Sequence, residues 1–461
     1  MNKYLSEILD YAINKGLIEK EDEIYCANRV LNLIGGDSFE KCEYTPHENL
    51  EQILDGLLNF AAESGKLEND SLTYRDLLSA EIMDVFTPRP SYVRNQFNEK
   101  YKENPKAATD YFYEMSKNNN YIMTNRVKKN IIWKTPTEKY GNIDITINLS
   151  KPEKDPKDIA LAKLAKASAE YPKCFLCKEN EGFAGHFNHP GRANHRIIPL
   201  NLAGEEWFFQ YSPYVYYNEH CIVFKKEHEP MLVNQKTFDR LLDFVEIFPH
   251  YFLGSNAGLP IVGGSILTHD HYQGGNYEFP MAKCPITVPI VFKGYEDITA
   301  GIVSWPLSTI RITGDSKQRI SDLAAKIFAV WEKHTDEENE ILAYTDQPHN
   351  AITPIARRKG EKFEMDLILR NNRTSEEHPL GIFHAHAEYH YIKKENIGLI
   401  EAMGLAVLPP RLTTELGELN ESVKEEIGTV FKNILENCGV YKDTETGNKG
   451  FMKFIDEVNN A

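Results

Sequence analysis

Three features are scarce or absent in this sequence, and each excludes a class of protein. No apolar run in the 461 residues approaches about 18 residues, so no transmembrane helix is expected. Basic residues are outnumbered, with 52 Lys and Arg against 68 Asp and Glu, and the net charge is −16. A nucleic-acid partner would need a clustered basic face, so none is expected. A small anionic ligand stays compatible, because it needs only a few local cations.

Cysteine is also scarce, with seven residues scattered over the chain. An odd number of dispersed cysteines is typical of a reducing compartment rather than of a disulfide framework. The start, Met1–Glu7, carries an acidic residue early and lacks the apolar core of a signal peptide. We therefore expect a cytoplasmic protein, and the length predicts two or three lobes.

The most informative segment is Leu259–Gly275, which reads LPIVGGSILTHDHYQGG. An extended chain alternates its faces, so His269, His271 and Gln273 would project to one side and the residues between them to the other. A single histidine on an apolar strand is usually a satisfied core residue. His-x-His-x-Gln between two glycine pairs instead favours a phosphate-handling site with an imidazole as the attacking group.

The segment resembles the signature of the second family of galactose-1-phosphate uridylyltransferases, a distant branch of the histidine-triad superfamily. Members of that superfamily carry a His-x-His-x-His or His-x-His-x-Gln strand. Gly258 and Thr268 depart from the expected signature. The resemblance extends through further segments, namely Asn142–Asp155, Tyr171–Arg196, Ser212–Met231 and Phe363–Leu412.

This resemblance implies transfer of a uridylyl group from UDP-glucose to galactose 1-phosphate, giving UDP-galactose and glucose 1-phosphate in galactose catabolism. It implies that His271 is the nucleophile and is uridylylated. The other ring nitrogen of His271 must then donate to a carbonyl or carboxylate that the sequence does not show. Gln273 cannot shuttle a proton, but it can donate to a phosphoryl oxygen, which favours a transferase over a hydrolase. The chemistry requires no cofactor, and the resemblance allows for a homodimer.

Two other functions stay open at this stage. Another histidine-type nucleotidyltransferase or phosphorylase, acting on a dinucleoside polyphosphate or adenylyl sulfate, would share the chemistry of the motif. A non-catalytic nucleotide-sugar sensor is the alternative from a different class, and the intact His271 and Gln273 disfavour it.

Cys174 and Cys177 have the CxxC spacing of a zinc knuckle, and a structural zinc ion needs four ligands. In the first family of these transferases a CxxC pair joins two histidines, of which one is the first histidine of the motif. That resemblance makes His269 the third ligand here. No histidine lies between Leu202 and Phe209 for the fourth position, so a metal-free pair is favoured over zinc. Three other histidines are imperfect substitutes: His186, His189 and His220.

Several residues are candidates for substrate binding. A strand at Ile143–Leu149 leads into a loop with Lys151 and Lys154, which by resemblance bind the phosphates of the nucleotide and otherwise are solvated surface lysines. Phe175 is a candidate to stack on uracil. The resemblance assigns nucleotide binding to three residues ahead of the histidines: Asn256, Gly264 and Ser265.

A second polar pattern occupies His384–His390. In a strand, His384, His386, Glu388 and His390 would share one face. Such a face could bind iron or zinc, contact a sugar phosphate, or simply be solvated.

The expected fold class is α+β, with two histidine-triad-like halves that have antiparallel sheets flanked by helices, plus a helical N-terminal lobe. The expected boundaries are 1–130 for the lobe, 131–297 for the catalytic half, 298–415 for a degenerate second half and 416–461 for a helical tail. The segments behind this division are helices at 107–115, 236–245, 319–333 and 423–435, a strand that starts at 304–308 and a strand at 363–369. In the N-terminal lobe Leu5, Ile8, Leu9 and Ala12 share one helix face, and the helix at 319–333 should bury Ile320, Leu323, Ile327 and Val330. The strand at 363–369 takes the place of the histidine strand but contains no histidine.

Overall fold

A computed structural model describes residues 1–150, 171–264 and 266–461. Lys151, Lys154 and Ser265, which the sequence singles out, lie outside the described residues. The chain divides into two compact units. The first comprises Met1–Lys129, Ser150–Pro199 and Phe208–Val215, and the second comprises Asn130–Leu149, Leu200–Trp207 and Tyr216–Ala461.

Helices dominate the described part of the first unit. They are α1 (Asn2–Asn14), α2 (Glu23–Ile34), α3 (Leu50–Glu63), α4 (Leu72–Phe86), α5 (Pro90–Glu103), α6 (Pro105–Asn118) and α7 (Thr124–Val127).

Local sequence explains where two of these helices begin. The side-chain oxygens of Asn49 and Asn104 accept hydrogen bonds from the first turns of α3 and α6, and Pro105 occupies the first position of α6. The apolar stripe of α1 is fully buried, as its periodicity predicts: Leu5, Ile8, Leu9 and Ala12.

The strands form two sheets. The larger has the order β3-β4-β5-β7-β6-β11-β12-β10-β9-β8. Along this order, all neighbouring strands between β5 and the edge strand β8 pair antiparallel. Its strands are β3 (Ile198–Leu202), β4 (Glu205–Tyr211), β5 (Cys221–Lys225), β6 (Phe252–Gly254), β7 (His271–Gly275), β8 (Ile286–Ile290), β9 (Thr299–Val303), β10 (Thr309–Gly314), β11 (Asn350–Lys359) and β12 (Lys362–Asn371). The unit boundaries fall within β3 and β4.

The smaller sheet belongs to the second unit and has the order β1-β2-β13, with strands β1 (Ile131–Thr137), β2 (Gly141–Ile147) and β13 (Leu405–Leu408). The helices of this unit are α8 (Gln235–Ile247), α9 (Pro280–Lys283), α10 (Lys317–Trp331), α11 (Leu399–Ala402), α12 (Leu412–Glu415), α13 (Glu421–Cys438) and α14 (Glu445–Asn460). No helix of the described residues is both long and apolar enough to cross a membrane.

The large sheet contains the predicted duplication. In the first half the order along the chain is β3, β4, β5, α8, β6 and β7, and in the second it is β8, β9, β10, α10, β11 and β12. The lateral order within each half is the same, and the halves join where β6 pairs with β11. The fold is therefore α+β with two histidine-triad-like halves, and their antiparallel strands form one continuous sheet.

In the second half β12 takes the place of β7, as predicted, and it carries charge instead of histidine. Asp366 lies opposite Arg311 of β10, with 2.7 Å between Oδ1 and Nε, and Arg357 of β11 donates to Asp366 and Glu364. Burial alone would raise the pKa of Asp366, but the two guanidinium groups lower it. The four charges compensate one another inside the sheet.

Two strand predictions are wrong. Ser304–Ser308 forms the turn between β9 and β10 rather than the start of a strand, and His384–His390 forms turns with a short 3-10 helix at Ala387–Tyr389. The helix predicted at Arg319–Lys333 exists as α10, with Ile320, Leu323 and Ile327 buried; Val330 is only partly buried.

Candidate active site

The signature segment enters the sheet at His271. There β7 begins, paired with β5 on one side and β6 on the other. His269 precedes the strand in a bend, so the strand is shorter than the sequence pattern predicts. The nucleophile candidate thus lies at the first residue of an inner strand, where it pairs with Phe224 of β5, whereas β6 pairs with β7 only from Gln273 onwards.

The predicted alternation of faces holds across this segment. Asp270 and Tyr272 both contact Arg240 of α8, at 3.5 Å and 3.1 Å from its Nη1, and the ring of Tyr272 stacks on Trp207. Burial raises the pKa of Asp270 to about 6. This side of β7 packs beneath α8, so His271 and Gln273 project to the other face.

Two of the signature glycines are required by close packing. A Cβ atom on Gly274 would lie 2.5 Å from the carbonyl oxygen of Phe252, and one on Gly264 would lie 2.7 Å from Nδ2 of Asn256. Neither position can hold a larger residue without displacing its neighbour. Gly264 therefore sets how closely the loop before the histidines approaches Asn256.

His271 is buried and has one committed ring nitrogen. Nδ1 lies 2.8 Å from the carbonyl oxygen of His269, and because a carbonyl only accepts, Nδ1 carries the proton. This contact supplies the acceptor that the sequence does not reveal. Burial lowers the pKa of His271 to about 4, so the ring is neutral near pH 7. Its Nε2 then carries the lone pair of a nucleophile.

The side chain of Gln273 is oriented by His220, which the sequence suggested only as an imperfect zinc ligand. Nε2 of His220 lies 3.1 Å from Oε1 of Gln273 and donates to it. His220 is buried, packs against the rings of Tyr216 and Tyr217, and has its pKa lowered by burial to about 4. Because the amide oxygen is engaged, the NH2 group of Gln273 is the end that can donate to a ligand.

The CxxC pair belongs to a group of four residues that could hold a metal ion. Sγ of Cys174 and Sγ of Cys177 lie 3.6 Å apart. Together with His228 and His269 of the second unit, these cysteines make up a set of four donors of the kind that binds a metal ion. Nε2 of His269 donates to the carbonyl oxygen of Lys225 at 2.8 Å, so Nδ1 is the nitrogen with the lone pair that a metal requires. Two thiolates and two imidazoles match the ligand set of zinc.

His228 is the fourth ligand candidate that sequence reasoning missed. It follows β5, and in that strand Phe224 pairs with His271. The residues after β5 therefore lie beside the residues before β7, which brings the ring of His228 to 4.9 Å from that of His269. Only the pairing of β5 with β7 reveals this neighbour, and no local sequence signal does.

The remaining substrate-binding candidates have different environments. Asn256 is buried, and its Oδ1 accepts a hydrogen bond of 2.8 Å from the backbone N–H of Leu399. Its Nδ2 lies on the side of Gly264. Phe175 is 49% exposed and meets the ring of His189 edge-on. Both side chains stay candidates for nucleotide contacts.

The second polar pattern does not form a common face. Nε2 of His386 donates to the carbonyl oxygen of Ile382, and Nε2 of His390 donates to that of Ala385, while Glu388 is exposed. These bonds close local turns. His384 differs from the others because it is 2% exposed.

Known proteins resemble this chain over nearly its whole length. Residues 16–230 match the family model described as the N-terminal domain of galactose-1-phosphate uridyl transferase, and residues 244–434 match that of its C-terminal domain. A galactose-1-phosphate uridylyltransferase of Clostridium acetobutylicum is 49% identical, over 99% of each chain. One from Bacillus subtilis is 47% identical, over 99% of this chain and 97% of that relative.

Among solved structures, the yeast Ap4A phosphorylase Apa2 is similar at 13% sequence identity and a TM-score of 0.39. The similarity covers 75% of this chain and 94% of that one.

Proposed function

The chain belongs to the galactose-1-phosphate uridylyltransferase family and is therefore a nucleotidyltransferase, and we propose that it works through a covalent uridylyl group on His271. The donor is UDP-glucose and the acceptor is galactose 1-phosphate. The observation that carries the assignment of the nucleophile is the 2.8 Å contact from Nδ1 of His271 to the carbonyl oxygen of His269. It commits one ring nitrogen and leaves Nε2 to attack.

The reaction then takes two displacements. Nε2 of His271 attacks the α-phosphorus of UDP-glucose, a P–N bond forms, and the P–O bond to glucose 1-phosphate breaks. The leaving phosphate departs as an anion and needs no proton, since its second pKa is about 6. An oxygen of the galactose 1-phosphate phosphate attacks the same phosphorus, the P–N bond breaks, and UDP-galactose forms. The bond from Nδ1–H to the carbonyl of His269 stabilises the ring while it carries positive charge.

Gln273 supports both steps by donation. Its NH2 group donates to a phosphoryl oxygen, on which negative charge grows in each transition state. An amide neither accepts nor delivers a proton, so it cannot activate water against the uridylyl-enzyme. The uridylyl-enzyme would therefore pass its uridylyl group to the sugar phosphate rather than lose it to water.

We also propose that Cys174, Cys177, His228 and His269 bind one structural zinc ion. A bound zinc ion would hold two thiolates and two imidazoles together and would take no part in the displacement. Through His269 it would fix the carbonyl that accepts from His271. The seven cysteines, all of them free thiols, support a reducing compartment, so we place the enzyme in the cytoplasm.

Labelling tests the proposed nucleophile. UDP-glucose labelled in its α-phosphate should label the wild-type protein without an acceptor and release one glucose 1-phosphate per label. The bond should be stable in base and labile in acid, as a phosphoramidate is. His271→Asn should abolish the label, whereas His250→Asn, a matched control elsewhere in the same unit, should keep it. Label on any other residue would refute the assignment.

A further inference from the structure

One arginine of the second unit is buried without the partner that such a charge needs. Arg370 of β12 is 1% exposed. Its Nη2 donates to the carbonyl oxygen of Ile397 at 2.7 Å, and its Nη1 lies 3.5 Å from Oγ1 of Thr353. Among the described residues its Nε has no acceptor. A buried guanidinium that lacks an anion is costly.

The carboxylate that influences the pKa of Arg370 belongs to Glu401, and it already forms an ion pair with a lysine. Burial lowers the pKa of Arg370, and Cys438 and Glu401 both oppose this shift. Of these two, Glu401 is the carboxylate. Its Oε1, however, lies 3.1 Å from Nζ of Lys393, with which it forms a buried ion pair. The side chain of Arg370 is therefore paired only with neutral groups within the described part of the chain.

A buried histidine that the charge of Arg370 influences, His384, is also unsatisfied within the described part of the chain. His384 is 2% exposed, and neither of its ring nitrogens has a hydrogen-bond partner among the described residues. Burial lowers the pKa of His384 to about 4; the backbone of Ala385 opposes this shift and the charge of Arg370 adds to it. The ring is therefore neutral, and one nitrogen carries a proton to donate. Unsatisfied buried polar groups are uncommon in folded proteins and need an explanation, of which a bound ligand is one.

The strand register places Arg370 on the face of the sheet that carries His271. Gln273 lies opposite Gly254, Gly254 opposite Ile355, and Ile355 opposite Asp366. Residues directly opposite share a face, and so do alternate residues of one strand. His271 and Arg370 therefore project to the same side.

The separation along this face suits a sugar phosphate. Three strand spacings of about 4.8 Å separate β7 from β12, and the contact with Thr353 brings the guanidinium group back towards β11. About two spacings, near 10 Å, then remain to β7. In an in-line displacement the leaving phosphate lies beyond the α-phosphorus, on the side opposite the nucleophile.

The loop that carries His384 packs against the loop that precedes His269. Nδ2 of Asn372 donates to the carbonyl oxygen of Pro260 at 3.3 Å. A Cβ atom at Gly381 would lie 3.0 Å from both Cγ2 of Ile261 and Cβ of His384. Ile261 has a φ of +73°, a backbone conformation that is strained for a β-branched residue.

We propose that Arg370 and His384 form the subsite for the phosphate of the hexose 1-phosphate, both as the leaving glucose 1-phosphate and as the incoming galactose 1-phosphate. This rests on the proposed function, because the same phosphate must sit in line with His271. The guanidinium group supplies paired donors and charge, and the neutral imidazole adds one N–H donor.

The test separates the two displacements with a donor that lacks the second phosphate. Uridine 5′-(p-nitrophenyl phosphate) can uridylylate His271 while releasing only nitrophenolate. Arg370→Gln and His384→Gln should be labelled by it at a rate within about 3-fold of wild type. Transfer of the label to galactose 1-phosphate should fall about 30-fold or more, since charge-assisted hydrogen bonds to the phosphate are lost. Arg370→Lys should recover part of the loss.

The control is Arg373→Gln, which removes a charge from the same loop without touching the subsite; its guanidinium group donates to the carbonyl oxygen of Glu340. It should transfer at the wild-type rate. Equal losses of labelling and transfer in the Arg370 and His384 variants would show a structural role and overturn the subsite, as would transfer at the wild-type rate. Absence of label in the wild type would instead refute the proposed nucleophile.

Inorganic phosphate tests the subsite in the unaltered protein, independently of whether the variants fold. It should inhibit transfer to galactose 1-phosphate competitively, and it should leave labelling by the nitrophenyl donor unchanged. Inhibition of both steps, or of neither, would overturn the subsite.

Discussion

At the scale of single residues, the proposed chemistry depends on which nitrogen of each side chain can donate. His271 offers Nε2 because Nδ1–H is committed to the carbonyl of His269, and Gln273 offers its NH2 group because its oxygen accepts from His220. The residue types at 271 and 273 can be read from the sequence. Their partners cannot, because the pairing of β5 with β7 places Ile222 opposite Gln273 and brings the region of His220 alongside.

Replacing Gln273 by His should make the uridylyl-enzyme more prone to hydrolysis. A third imidazole can take a proton from water, so hydrolysis of the uridylyl-enzyme to UMP should rise relative to transfer by about 10-fold or more. The measurement is the ratio of UMP to UDP-galactose formed from UDP-glucose and galactose 1-phosphate. Gln273→Met, which removes the amide donor and adds no group that can take a proton, distinguishes loss of donation from gain of a proton shuttle. An unchanged ratio in Gln273→His would contradict the role given to the amide.

Removing the partner of Gln273 should slow both displacements. In His220→Leu the oxygen of Gln273 loses its donor, and the amide is no longer held with its NH2 group towards the phosphate. We expect kcat to fall about 10-fold with little change in KM, since the contact matters most in the transition state. His220→Gln keeps a donor and should recover most of the rate. If Leu and Gln prove equivalent, His220 only fills space.

At the scale of elements, sequence periodicity predicts the helices well and the strands less well. The stripes of α1, α8 and α10 are local and appear as predicted. A strand depends on neighbours that bind its backbone, so alternation alone is weak evidence. At His384–His390 the polar residues alternate, yet two of the rings bind carbonyl groups of their own segment and close turns instead.

The arrangement of the continuous sheet can also be predicted only in part from the sequence. Internal duplication can be inferred from the order of segments, and β12 appears where the second histidine strand is expected. The junction of β6 with β11 cannot be inferred, because β6 has only three residues and no distinctive pattern. That junction is what places Arg370 on the face of His271.

The segment that holds Cys174 and Cys177 should depend on metal. If these cysteines bind zinc with His228 and His269, Cys174→Ser should lose the ion and lower the free energy of unfolding by on the order of 2 kcal/mol, because metal binding is coupled to folding. Labelling of His271 should slow as well, since His269 supplies its acceptor. Elemental analysis and thermal unfolding are the measurements. The exposed Cys42, replaced by Ser, is the control and should change neither. Wild-type protein free of zinc would refute the site and favour the metal-free pair that the sequence alone predicts.

At the scale of the whole molecule, buried neutral histidines occur in both units. In the first unit Nε2 of His195 lies 2.9 Å from Oε1 of Gln210, and its ring stacks on Tyr121. In the second unit His220 is buried beside Gln273. Burial lowers the pKa of both imidazoles, that of His220 from 6.5 to about 4. Each unit thus contains a ring whose protonation lowers the stability of the folded state.

Stability should therefore fall as the solution becomes mildly acidic. In the unfolded chain a histidine is protonated below about pH 6.5, whereas in the folded protein His220 is protonated only below about pH 4. Between these two values the unfolded chain binds more protons, so acid favours unfolding. For His220 alone this amounts to about 2 kcal/mol at pH 5 relative to neutral pH.

Urea unfolding at pH 7.5 and pH 5.0 measures the difference. His195→Gln and His220→Gln should each flatten the dependence on pH, because an amide does not titrate. His378→Gln, at a partly buried loop position, should not. Equal stability of the wild type at both pH values would show that these rings accept protons without unfolding the chain.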